Sequence, residues 1–283
     1  MNTRHPLNHS AMDPVRPWRL TSLVWLAWSA VGTALLLHGP LPAWLSFSNA
    51  VFLLLGGLVT SWQLVVQLGR VAGSLSILLL ALGGFLVEVL GVHTGFPFGA
   101  YRYTEALGLQ LWHVPLAIGG AWVLIGGASF LAARELFVSP WAQSIAAPLL
   151  GVCLDALLDP VASHVLRDWT WLSGGPWYGI PRQNFIAWMG VLLCMECVLL
   201  ILGRAASTDR HPAISRGVAL RRGQHRRSQL PAVVGPVFLL FGLVGIAHGF
   251  YLPVLVAAIP WLGVITVGQL RSLSKQTAGD GRV

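Results

Sequence analysis

The sequence predicts an all-α polytopic membrane protein of about eight transmembrane helices, with two loops rich in Gly, Pro and aromatic residues on the outer side. Three observations predict it. First, 55% of the 283 residues are hydrophobic and only 10% are charged, whereas a soluble domain carries roughly 25% charged residues. Second, apolar runs long enough to cross a bilayer, about 20 residues each, recur along the chain. Third, the basic residues fall on one side when those runs alternate across the membrane.

Residues 1–17 are polar and contain prolines, and read as a disordered cytoplasmic N-terminus. The first apolar run lacks a small-residue cleavage site and leads straight into further runs, so no cleaved leader is expected. Runs and breakers place spans near 20–38, 47–68, 72–92, 114–136, 141–158 and 184–203. The run 232–268 is too long for one span. His248-Gly249 breaks it, with Pro253 just after, into two short spans joined by a tight turn. The expected organisation is a transmembrane core over 18–203 with its catalytic part at 72–203, a basic cytoplasmic loop at 204–231, a transmembrane hairpin at 232–268 and a cytoplasmic tail at 269–283. Segment 160–172 is moderately amphipathic and reads as interfacial, with Trp169 and Trp171 as belt residues.

Charge tests the count. With the N-terminus inside, fifteen of the eighteen Lys and Arg residues face the cytoplasm, seven of them between Arg204 and Arg227. Only Arg102, Arg167 and Arg182 face outward. The positive-inside rule therefore favours a multi-pass cell-membrane protein with both termini cytoplasmic. The basic stretch 204–227 has no aromatic residues, and it reads as a topogenic loop facing lipid headgroups rather than as a nucleic-acid site. Cys153, Cys194 and Cys197 lie in apolar runs without metal spacing, and the histidines flanking the acids, His93, His113 and His164, have no HxxxH or HExxH spacing. No metal and no cofactor is expected.

The chain has only ten acidic residues, and carboxyls at membrane depth are costly. Asp155 and Asp159 are four apart near the end of the fifth span, so they share a helix face. Glu88 lies about 6 Å below the outer end of the third span at 1.5 Å per residue, level with that pair. Asn184 enters the sixth span at the same depth. Two aromatic loops adjoin these groups: Thr94–Tyr103, with Phe98, Tyr101 and Tyr103, and Ser173–Asn184, with Trp177 and Tyr178. Acids, aromatic walls and interfacial water at one level read as an active site. Asp159 precedes Pro160, an ordinary helix stop, and is expected to be the wetter of the pair. Glu196 lies deeper in the sixth span and reads either as a deep proton-relay group or as a structural group paired with a polar side chain such as Gln63 or Gln67.

These residues also carry a resemblance. The run Glu88-x-x-Gly91-x-x-Thr94-Gly95-x-Pro97-Phe98-Gly99-x-Tyr101-x-Tyr103, with Leu107-Gly108, Val114-Pro115 and Trp122, resembles the membrane carotenoid biosynthesis family containing the CruF-type carotenoid 1,2-hydratases. So do Asp155-x-x-x-Asp159-Pro160, Trp169-x-Trp171, Gly175-x-x-Tyr178-Gly179-x-Pro181 and Asn184-Phe185-x-x-Trp188. The likeness covers residues 75–200. Trp177 departs from it where a second tyrosine is expected, which keeps an aromatic wall but removes a hydroxyl.

The resemblance implies addition of water across the C1′,2′ double bond of an acyclic ψ-end carotenoid of the γ-carotene or lycopene type. On that chemistry, Asp155 or Glu88 protonates the alkene, and Tyr101, Tyr103, Trp177, Tyr178 and Phe98 face the resulting cation. Asp159 and Asn184 then hold the attacking water. The partners are a carotenoid within the bilayer, water and membrane lipid, without nucleic acid; other carotenoid enzymes are candidate partners. The competing class is a proton-coupled transporter or a non-catalytic carotenoid- or lipid-binding protein, because paired acids in spans also relay protons. No inverted repeat with broken midplane helices supports it. A prenyl-diphosphate enzyme is disfavoured because no DDxxD pattern occurs.

Overall fold

The computed structural model describes residues 15–208 and 229–280. The expected N-terminal disorder and nearly all of the basic loop lie outside the described residues. Among the described residues, eight helical segments are long and apolar enough to cross a membrane, and the chain is a multi-pass membrane protein. The helices are α1 (Val15–His38), α2 (Ser48–Leu68), α3 (Arg70–Thr94), α4 (Ala117–Leu136), α5 (Pro140–Leu166), α6 (Arg182–Thr208), α7 (Leu230–Ala247) and α8 (Tyr251–Asp280). The break between α7 and α8 falls at His248–Phe250, where Gly249 takes a positive φ of 82°.

Two boundaries differ from expectation. The fourth span starts at Ala117 rather than 114, because β2 (Gln110–Leu111) and β3 (Val114–Pro115) form a short hairpin before it. Its two turn residues, Trp112 and His113, both have positive φ, as a tight primed turn requires. The fifth span does not stop at Pro160. The helix runs on to Val161 and closes with a π turn, Ala162–Leu166, before Arg167 enters the left-handed region. Pro160 has no N–H to donate to the carbonyl one turn back, at Ala156. The Trp177 indole supplies that bond at 3.0 Å, so the helix continues. Further π turns occur at Leu79–Gly83 in α3, one turn before Glu88, and at Phe238–Gly242 in α7.

Segment 160–172 is the end of a helix followed by a strand. Its end forms β4 (Trp169–Trp171), which pairs antiparallel with β1 (Tyr101–Tyr103). Tyr101 faces Trp171 and Tyr103 faces Trp169. Side chains alternate along a strand, so these four aromatics share one face and Arg102 and Thr170 take the other. Backbone bonds from Leu172 N to Ala100 O (2.8 Å), Thr104 N to Asp168 O (2.9 Å) and Asp168 N to Ala162 O (2.9 Å) extend and anchor the ribbon.

The bundle below is packed by small residues. A Cβ on Gly57 of α2 would meet the Gly120 carbonyl of α4 at 2.8 Å, which is the close crossing that apolar helices use in lipid. Gly84 of α3 lies flat against Trp122, whose Cγ would be 2.1 Å from an added Cβ. Large apolar side chains such as Leu54, Leu86, Ile186 and Ile259 stay exposed on the outside of the bundle, as a lipid-facing surface does. Gly84→Ala is expected to lower stability by about 1–3 kcal/mol through overpacking. Gly190→Ala, at a site with nothing within 4 Å, is the control and should not destabilise; thermal unfolding in detergent compares the two.

Candidate active site

The β1–β4 ribbon closes one end of a cavity cut into the bundle. Its walls include Glu88 of α3, Asp155 and Asp159 of α5, Asn184 of α6, and Trp122 of α4 with Trp188 of α6. The cavity volume is about 70 Å³. Trp122 and Trp188 stack with centroids 4.2 Å apart and planes 8° apart. The three carboxyls and Asn184 are all buried, and they meet in one space as the span alternation predicts.

Each carboxyl has a different set of donors. On Glu88, Oε1 accepts from Trp122 Nε1 at 3.1 Å, and Oε2 accepts from the hydroxyls of Tyr103 (2.8 Å) and Tyr101. Gly91 makes this reach possible, since a Cβ there would sit 2.7 Å from the Tyr101 hydroxyl. On Asp159, Oδ1 accepts from the indoles of Trp169 (2.7 Å) and Trp171 (2.9 Å), and Oδ2 accepts from Asn184 Nδ2 at 3.0 Å. Asp155 accepts one side-chain bond, from the same Asn184 amide at 2.9 Å. Asn184 thus gives one N–H to each aspartate. The ribbon serves two acids at once: the tyrosines of β1 donate to Glu88, and the tryptophans of β4 donate to Asp159.

Indole N–H groups can only donate. With three donors apiece, Glu88 and Asp159 accept at both carboxyl oxygens. Burial first, and the Glu88 charge next, push the Tyr101 and Tyr103 phenols well above the ordinary tyrosine range. Both therefore remain donors. Asp155 is the acid with the fewest partners facing the cavity.

The expected roles need three corrections. Asp159 is not the wetter acid: it is 1% exposed and Asp155 5%, because two indoles cover it. Trp177 and Tyr178 do not line the cavity. Trp177 caps the Ala156 carbonyl, and Tyr178 turns outward at φ 51° to pack on Phe250 at 5.2 Å. Phe98, Tyr101 and Tyr103 do line it. Trp122, Trp169, Trp171, Trp188, Asn49 and Asp168 form walls that the sequence reading gave no site role. The spacing Tyr101-x-Tyr103 against Trp169-x-Trp171 is the signal that was there to be read, a period of two on both segments. Asn49 and Leu53 of α2 and Phe241 of α7 also border the space, so the cavity reaches beyond residues 72–203.

Among the flanking histidines, His93 and His113 lie 5.8 Å apart, and His164 bonds the Tyr178 carbonyl at 2.7 Å. Among the described residues, no group of three His, Cys, Asp or Glu side chains is placed to hold a metal ion. Glu196 and Gln63 are buried, and Oε1 of each lacks a hydrogen-bond partner among the described residues.

Asp168 lies in the loop outside the spans. Burial pushes its carboxyl up to about 7, against the lowering effect of a hydrogen bond from Asn49. The folded chain then holds a proton that the unfolded chain releases, so this group makes stability fall as pH rises from 3.8 to about 7. Asp168→Asn should flatten that part of the decline in thermal unfolding across the window. An unchanged slope would contradict the assignment.

A family model described as "Carotenoid biosynthesis protein" matches residues 48–264. A protein named bisanhydrobacterioruberin hydratase, from Haloarcula japonica, is 31% identical over 167 residues, which cover 54% of this chain and 54% of the relative. The chain thus spans about half the length of the curated relative it matches. No solved structure matches the chain.

Proposed function

Because the chain belongs to the carotenoid biosynthesis protein family, we propose that it is a hydratase that adds water to the terminal double bond of an acyclic ψ-end carotenoid. One observation carries the reading: three carboxyls converge in a buried aromatic cavity, and two accept three side-chain donors each while the third accepts one. The hydratase name of the similar archaeal protein supports the same reaction class. A γ-carotene or lycopene type end, hydrated at C1′,2′, is the proposed substrate.

The chemistry follows from the donor sets. Asp155 gives its proton to C2′, and the alkene electron pair forms the new C–H bond. Positive charge develops at C1′, a tertiary centre. The face of Tyr101 and the acceptor carboxylates Glu88 and Asp159 stabilise it. A water lone pair then bonds to C1′, and the oxonium returns one proton to Asp155. The sum is one water added and a tertiary alcohol formed. Asn184 positions Asp155 and Asp159 by bonding both. The ribbon covers the site, so the cation meets one admitted water rather than bulk solvent.

The arginine bias supports both termini in the cytoplasm, which puts the ribbon on the outer side. The carotenoid, a long apolar rod, reaches such a site from the bilayer. Expression in a host that makes lycopene and γ-carotene tests the reading, with products weighed by mass spectrometry. Wild type should yield a carotenoid heavier by one water. Asp155→Asn should lose about 100-fold or more of that product, the scale of a missing general acid. Full activity in Asp155→Asn would remove it from that role, and unchanged pigments with wild type would favour the transport or binding class.

A further inference from the structure

A hydration needs water delivered to the cavity, and one pair of polar walls is placed to do it. Asn49 sits at the start of α2, and Asp168 immediately precedes β4. Asn49 Nδ2 donates to Asp168 Oδ2. The two are 8% and 1% exposed. Asp168 is fixed at both backbone groups: its N–H bonds Ala162 O and its carbonyl accepts from Thr104 N.

Two features set this pair apart. Asn49 Oδ1 is buried and has no hydrogen-bond partner among the described residues, and a buried acceptor left empty costs about 1–3 kcal/mol. A second space, about 1250 Å³ counted to its open mouth, lies beyond the pair at the loop end of the bundle. Ser46, Ser48, His164, Arg167 and His248 are among its polar walls. Asn49 and Asp168 are the two residues that border both this crevice and the acid cavity. The neck between the crevice and the acid cavity is thus built from an amide and a carboxyl, with the Asn49 amide oxygen unpartnered among the described residues.

We propose that Asn49 and Asp168 form the port that admits the reacting water, with Asn49 Oδ1 holding that water at the neck of the acid cavity. The ligand is water itself, and the inference rests on the hydratase reading above. An ordered buried water typically needs two to four polar partners, and the neck offers the free amide oxygen beside the Asp168 carboxyl. The remaining walls nearby, such as Leu53 and Phe241, offer none. The pair acts after proton transfer, by supplying the nucleophile, and so stands apart from Asp155, Asp159 and Glu88.

That separation gives a test. Once Asp155 has protonated C2′, the cation has two exits. Water can bond to C1′ and yield the alcohol, or a neighbouring C–H can return a proton to Asp155 and restore an alkene. In D2O the first proton is a deuteron, so the second exit leaves deuterium in recovered carotenoid. Purified full-length protein in lipid vesicles with lycopene reports both exits by mass spectrometry. In Asn49→Leu, alcohol should fall relative to deuterium exchange by roughly tenfold, the rate equivalent of one lost hydrogen bond to water. Asn49→Ser, which restores an oxygen, should recover part of the ratio. Both exits come from the same folded molecules, so the ratio does not depend on how much protein folds. Asp168→Asn, which keeps the shape, is read the same way and should shift the ratio in the same direction. Ratios equal to wild type in Asn49→Leu and Asp168→Asn overturn the port while leaving the hydratase intact. A wild-type protein giving neither alcohol nor label overturns the reaction on which the port rests.

Discussion

Carboxyl groups buried in an apolar bundle have to find donors inside the protein, because lipid supplies none. In this chain the donors come chiefly from a two-stranded ribbon three residues wide. Tyr101 and Tyr103 reach Glu88, and Trp169 and Trp171 reach Asp159. The ribbon is in turn held where it is by those same acids and by backbone bonds to Ala100, Ala162 and Thr104. Acids and ribbon are one unit, and the rest of the structure serves to bring them together.

The bundle does this through a few local devices. Gly84 lets Trp122 lie against α3 so that its indole meets Glu88. Pro160 opens the α5 ladder at Ala156, and Trp177 closes it from the following loop. The π turn at Ala162–Leu166 and the left-handed Arg167 then swing the chain from helix into β4. Asn184 locks α6 to α5 by sharing its amide between two aspartates. The outcome is asymmetric: two acids act as acceptors, and Asp155 retains capacity facing the cavity. On the proposed chemistry, that asymmetry separates the proton donor from the cation-stabilising groups in a site where all three are carboxyls.

Much of this was legible in the residues. Hydropathy and arginine placement gave eight spans whose boundaries agree closely with the helices, because bilayer thickness dictates span length. Alternating those spans put Glu88, Asp155, Asp159 and Asn184 at one depth. What depth could not give was which loop residue faces which acid. Trp177 and Trp169 are both aromatic, near the same acids, and equally suited to an interfacial belt. Only strand pairing, a contact across nearly seventy residues, decides that Trp169 points inward while Trp177 caps a carbonyl. Pro160 misled for a related reason. It is a helix stop unless another donor satisfies the freed carbonyl, and that donor is remote in sequence. Asn49 and Asp168 carried only the weak signal of polar groups near apolar runs.

The central claim is that the donor pattern leaves Asp155 as the acid facing the substrate. A structure of the protein with a ψ-end carotenoid bound tests it most directly. The account predicts the terminal double bond inside the aromatic cavity, with C2′ about 3–3.5 Å from an Asp155 carboxyl oxygen and the ribbon bonds to Glu88 and Asp159 intact. An end group lying outside the cavity, or set against Glu88 with Asp155 turned away, would contradict it.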